Sequence, residues 1–434
     1  MMKAKVVFLL TILALGLLLL SGCSDKTKDN PTRPTYSQTG QVAVDNFHSF
    51  SIFFSTMNNP LANPREQGNK PYRIYLPPGY FLPNGSIGGP FPILYLFPPF
   101  GADEQYYFEH GLATVADRLI SEGKMVPMII VSIDGRSLLG GSFYTDSPRQ
   151  GKYFSALYST TVYDWPTVVS GSLTLDTLPY TAVAFLTRID GIYNTIAQPK
   201  FRAAGGVGMG GYGAFKSVLQ TDYFGSVSAI DAPLDFDGST GNGGFLTLFQ
   251  DVYDGSWNTV DTSETNIGMS IVVSAAAAFS PHHTGFNVDS IYFDNFGSLA
   301  LGYTITDTLA ADASTLVAKH AIHVPFDNTG AINSDIWGLW LGHNVDSLYE
   351  NAAALSKANF VDMKKLLITV DDSKYRFDEQ MSGFMQFLDA NGMEYQQKNY
   401  SGSDVLSGTA DHYLYDIFED ILIFHSDNFK AAGY

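Results

Sequence analysis

Cysteine is almost absent. Of 434 residues only Cys23 carries a thiol, which excludes intramolecular disulfides and cysteine-built metal sites. Positive charge is scarce too: 25 Lys and Arg stand against 43 Asp and Glu, a net charge of −18. Such an acidic chain repels phosphate backbones, so nucleic acid is excluded as a partner. Charged residues of both signs make up 16% of the chain and aromatic residues 14%, the balance of a large core under a polar, mostly uncharged surface. The apolar run Val6–Leu20 is shorter than the roughly 20 residues that cross a bilayer. One further lack bears on chemistry. Gly206-Val207-Gly208-Met209-Gly210-Gly211 has the frame of the G-x-S-x-G turn that lifts a serine oxygen above a sheet, but glycine holds its centre. Gly208 has no side chain with which to attack a substrate.

What is present begins with a targeting signal. Lys3 and Lys5 precede the apolar run, and Leu20-Ser21-Gly22-Cys23 follows it, the marks of a secretory signal. The last four residues resemble a bacterial lipobox, whose cysteine is lipidated and becomes the mature N-terminus. The expected organisation is a lipoprotein signal peptide over 1–22, lipid attachment at Cys23, and a flexible tether over 23–40 rich in Asp, Lys, Asn, Pro and Thr. Residues 41–434 then form one domain with insertions near 155–181 and 237–300. Cleavage removes two lysines and no acid, taking the net charge from −18 to −20. Ser24, not aspartate, follows the cysteine, which fits sorting to the outer membrane. The expected location is the bacterial cell envelope, with the membrane as a partner through the lipid.

Along the body, strand-like and helix-like segments alternate. Tyr72–Leu76, Phe91–Phe97, Pro127–Ile133, Phe201–Gly205, Ser226–Ile230 and Leu366–Val370 read as strands, several of them almost wholly apolar as buried parallel strands are. Gly111–Gly123, Gly211–Gln220 and about Glu379–Ala390 read as helices between and after them. This alternation predicts an α/β fold with a doubly wound, mostly parallel sheet. Ser155 to about Thr181 is a Ser/Thr-rich insertion outside the repeat. Asp235 and Asp237 lack the ligand spacing of a calcium loop and read as a solvated acidic loop.

The ordered series of local motifs resembles the secreted, esterase-D-like branch of the α/β-hydrolases, a family of carboxylic-ester hydrolases. The resemblance is carried by Tyr72-Arg73-Ile74-Tyr75-Leu76-Pro77-Pro78-Gly79-Tyr80, Gly123–Gly135 and Ser142-Phe143-Tyr144-Thr145-Asp146-Ser147-Pro148. Downstream it continues through Ala278-Phe279-Ser280-Pro281 and Trp337-x-x-Trp340-x-x-His343. It runs in order from about residue 70 to residue 425 and implies an α/β-hydrolase fold. It also implies positions for catalytic groups, and most of those positions are altered. The nucleophile position is Gly208, followed by Met209, whose N–H remains as one oxyanion donor. The family's His-Gly, which helps build the oxyanion hole, is here Pro98-Pro99, and proline has no N–H. The acid position falls at Lys374, with Asp372 close enough to leave the register open. Only the histidine is kept, at His412 in Asp411-His412-Tyr413.

These residues lead to an exported, esterase-like protein that is a pseudoenzyme, binding an ester-bearing or carbohydrate ligand or another envelope component. No cofactor and no metal is implied. One alternative is an active carboxylic-ester hydrolase with a relocated nucleophile, for which Ser142, Ser147 and Ser217 are the candidates. A second is dinucleotide binding at Gly206–Gly211, since Gly206-x-Gly208-x-x-Gly211 satisfies the glycine fingerprint and Asp231 follows twenty residues later. Against this, the lead-in strand is short and lies mid-sheet.

Overall fold

The computed structural model describes residues 39–48, 69–137, 140–147, 151–158, 165–169, 172–176, 184–238, 244–252, 267–281, 325, 331–371, 377–401 and 411–434. The signal peptide, Cys23 and most of the tether lie outside the described residues.

An eight-stranded sheet organises the chain. Its strands are β1 (Gln41–His48), β2 (Asn69–Leu76), β3 (Ile93–Phe97), β4 (Ile129–Ile133), β5 (Arg202–Val207), β6 (Ser226–Ile230), β7 (Lys364–Asp371) and β8 (Gln396–Ser401). Their spatial order is β1-β2-β4-β3-β5-β6-β7-β8. From β4 to β8 every pairing is parallel, whereas β2 runs antiparallel to both β1 and β4. The expected doubly wound, mostly parallel sheet is therefore present.

Among the described residues, the longer helices around this frame are α1 (Leu112–Ser121), α2 (Phe185–Ile192), α3 (Met209–Gln220), α4 (Gly244–Val252), α5 (Ile267–Phe279), α6 (Ser334–Leu341), α7 (Val345–Asn351), α8 (Ala354–Asp362), α9 (Phe377–Ala390) and α10 (Asp411–Ala431). Side chains alternate across each buried strand, so one strand feeds two cores. In β3, Ile93, Tyr95 and Phe97 join the core with α2, α3, α5 and α9. Leu94 and Leu96 face the other way, into the core with α1 and α10. Among the described residues no helix is long and apolar enough to cross a membrane.

The central strands match the sequence expectation to within a few residues, and β6 matches at both ends. The two edge strands were not foreseen. β8 is polar and mostly exposed, Gln-Gln-Lys-Asn-Tyr-Ser, and an edge strand of this kind has no buried face to print a pattern. The segment 155–181 carries secondary structure of its own. It starts within a short helix, Tyr153–Tyr158, and contains a ribbon of Trp165–Val169 paired antiparallel with Ser172–Asp176.

Candidate functional site

The middle of β5 is built of small residues, Ala203-Ala204-Gly205-Gly206, because α3 turns back hard against it. A Cβ on Gly206 would overlap the backbone of Gly210, and one on Gly210 would overlap the Phe97 carbonyl. These two glycines are packing requirements of a tight strand–turn–helix. Between them stands Gly208, with φ 54 and ψ −121, at the N-cap of α3. Side chains are strained at positive φ and glycine is not. The turn is pinned on both sides: the Gly208 N–H donates to the Ile230 carbonyl at 2.8 Å, and the Tyr212 N–H donates to the Gly208 carbonyl at 3.2 Å.

The segment after β3 lies against this turn, as the contact of Gly210 with Phe97 and Pro98 requires. Pro98 and Pro99 are buried there. Two tyrosines lock them. Tyr107 donates to the Phe97 carbonyl at 2.6 Å and accepts the Val207 N–H at 3.1 Å, bridging the ends of β3 and β5. Tyr144 donates to the Pro98 carbonyl at 3.3 Å. Burial pushes both phenols well above their ordinary range, so both stay neutral donors. Sequence reading missed this pair, because a tyrosine used as a strand clamp has no local signature.

The flank of the elbow on the Met209–Tyr212 side is closed. Met209 is buried, and its sulfur accepts the Phe143 N–H at 3.3 Å. Phe143 packs edge-on against Tyr212 and Phe279, with ring centroids 6.0 and 5.1 Å apart. Phe236, Phe245 and Trp340 extend the cluster. Its members come from the segments after β4 and β6 and from α3 to α6, at the carboxyl ends of the strands, where open α/β sheets ordinarily keep their ligand crevice. His343 stacks on Phe279 at 4.8 Å. Burial, followed by the nearby Lys216 charge, pushes its pKa down to about 3. Lys216 is itself buried, donates to Thr145 Oγ1 at 2.7 Å, and is lowered to about 7 by desolvation.

The three candidate replacement nucleophiles are committed elsewhere. Ser142 Oγ donates to the Gly135 carbonyl at 2.7 Å, Ser147 Oγ to Ala277 at 2.5 Å and Ser217 Oγ to Gly213 at 2.6 Å. All three are buried, and none stands on the elbow. Asp231, required by the dinucleotide alternative, is 1% exposed in a left-handed conformation, where it presents no carboxylate to a ribose. The turn at Asp235 and Asp237 is not a solvated loop. Asp235 Oδ1 accepts from the Asp237 N–H and Asn344 Nδ2, both at 3.2 Å, and Asp237 Oδ1 accepts from Trp337 Nε1 at 3.2 Å. Burial raises Asp235 to about 6.

The structure thus gathers Gly208, Met209, Pro98 and Pro99 in one place. Asp372 and Lys374 lie outside the described residues. His412 falls in the first turn of α10, which begins at Asp411 instead of after Tyr413; its side chain also lies outside the described residues.

No family model matches the chain. A solved ferulic acid esterase aligns over 90% of this chain and 99% of its own, with a TM-score of 0.51 and 17% identity. An S-formylglutathione hydrolase from Agrobacterium tumefaciens aligns over 91% and 97%, with a TM-score of 0.45 and 11% identity. With the strand order and the elbow, the first of these likenesses gives the conclusion for the scaffold: this chain has an α/β-hydrolase fold.

Proposed function

We propose that this is an exported, lipid-anchored envelope protein that has kept the esterase scaffold, lost ester hydrolysis and acts by binding. One observation carries the reading: the residue in nucleophile-elbow geometry, at φ 54 and ψ −121, is a glycine. Loss of the serine alone costs on the order of 10⁶ in turnover in a well-studied triad protease, about 8 kcal/mol of barrier. The residual rate there depends on an intact oxyanion hole. Here Pro98 and Pro99 remove N–H donors beside the elbow, and Ser142, Ser147 and Ser217 donate to backbone carbonyls. The ligand is an ester-bearing or carbohydrate molecule, or another envelope component, and the lipid on Cys23 holds the protein at the membrane.

The test is direct. The purified protein should hydrolyse short-chain nitrophenyl esters no faster than its His412→Ala variant, and a fluorophosphonate should leave it unlabelled. Stoichiometric labelling would establish a relocated nucleophile and end the non-catalytic reading. Radiolabelled palmitate should enter the protein in a bacterial host and fail to enter a Cys23→Ser variant. Incorporation into that variant would refute the anchor.

A further inference from the structure

A concavity lies at the end of the elbow helix opposite Gly208. α3 is 12 residues long, so its C-terminus is ~18 Å from Gly208 at 1.5 Å per residue. There a cavity of about 400 Å³ opens between the short helix Tyr153–Tyr158 and residues 220–223, near the lower end of the ~300–1,000 Å³ range of small-molecule sites. Its walls supply rings from Phe154, Tyr158 and Tyr223, with Gln220 and Asp222 beside them. Tyr158 and Tyr223 lie nearly parallel, 24° apart with centroids at 6.1 Å. The Tyr158 hydroxyl is already used inside, on Ser217 Oγ at 2.7 Å, which leaves its ring to line the cavity.

The polar groups choose among ligands. No basic side chain lines the cavity, and the carboxyl end of a helix carries partial negative charge, so anions are disfavoured. An organic cation is poorly served as well. Lys216 Nζ already sits 5.5 Å from the Phe154 ring centroid, and Asp222 Oδ1 is taken by Ser356 Oγ at 3.2 Å and Asn359 Nδ2 at 3.3 Å. What stays available among the described residues is the Gln220 amide, the Tyr223 hydroxyl and Asp222 Oδ2. An amide offers two donors and an acceptor, and a carboxylate oxygen accepts only. That set matches the vicinal hydroxyls of a neutral polyol, while the negative face of an aromatic ring attracts the polarised C–H groups on the flat side of a pyranose.

We propose that this cavity is a binding site for a neutral carbohydrate, separate from the elbow and independent of the fate of the catalytic groups. The sugar lies against Tyr223, with its hydroxyls on Gln220 and Asp222. Maltose, cellobiose and N,N′-diacetylchitobiose are the probes, each added alone to the purified protein, with choline as the cationic comparison. Saturation-transfer NMR should register at least one disaccharide, and calorimetry should show its binding weakened about tenfold or more in Tyr223→Ala. Gln220→Ala should weaken it by a smaller factor. Tyr223 is 40% exposed, so an unchanged melting temperature is expected to confirm that the variants fold. Three results would each overturn the proposal: no transfer to any of the three sugars, sugar binding untouched by Tyr223→Ala, or binding of choline alone.

Discussion

Of the turns at the carboxyl edge of the sheet that enter left-handed backbone space, two do so with opposite residues. At the elbow Gly208 takes φ 54, which costs glycine nothing. In the segment after β4, Phe143 and Tyr144 take φ 49 and 46, with large side chains that disfavour it by roughly 1–2 kcal/mol each. Strain is thus missing where a catalytic fold would hold it and present where aromatic packing needs it. Strained backbone persists only when the surroundings over-determine it. Around Phe143 they do: it is fully buried, its N–H is on the Met209 sulfur, and its ring meets three other aromatic rings. The contrast teaches that the strained backbone at this edge goes with closure of the aromatic core.

The largest expected effect breaks the aromatic side of the comparison. Phe143→Ala should destabilise the protein by about 3–5 kcal/mol in urea unfolding, as deletion of a buried ring does. Phe143→Gly should cost about 1 kcal/mol less than Phe143→Ala, since glycine recovers the left-handed strain; equal costs would show that the turn is unstrained. The elbow should respond in the reverse sense. Gly208→Ser should destabilise by about 1–3 kcal/mol and still leave nitrophenyl-ester turnover at background, because Pro98 and Pro99 remain. A stable, fast esterase from this one change would undo the argument built on the two prolines.

The smallest effect concerns the lysine behind the strained segment. Desolvation lowers Lys216 to about 7, from the ordinary lysine value of 10.5. The folded state therefore binds fewer protons than the unfolded chain between those values, so its stability is full above about 10.5 and falls as pH drops toward about 7. Lys216→Met should remove that slope. Unfolding midpoints measured from pH 7 to 10 would check it, and an unaltered slope would show that Lys216 stays charged in the fold.

The legible part of this molecule was its central parallel strands, whose apolar runs reflect burial on both faces, and the glycine frame at 206–211. Elements set by exposure or by partners far along the chain were not legible. β8 carries no apolar period. Asp235 was read as solvated because it lacks the spacing of a calcium loop, yet Asn344 donates to it from 109 residues away. Tyr107 and Tyr144 looked like any aromatic residues until the fold placed them on the Phe97 and Pro98 carbonyls.

By itself the sequence determined that position 208 has no nucleophile and positions 98 and 99 have no N–H, because these are properties of the residues wherever they stand. It also determined the alternation that makes a parallel sheet. Only the tertiary structure decided that these positions meet, that Gly208 takes the elbow's left-handed conformation, and that aromatic rings from distant segments close the Met209 side. Those outcomes depend on contacts between residues far apart in the chain, and no local pattern of hydrophobicity encodes which distant side chain fills a given space.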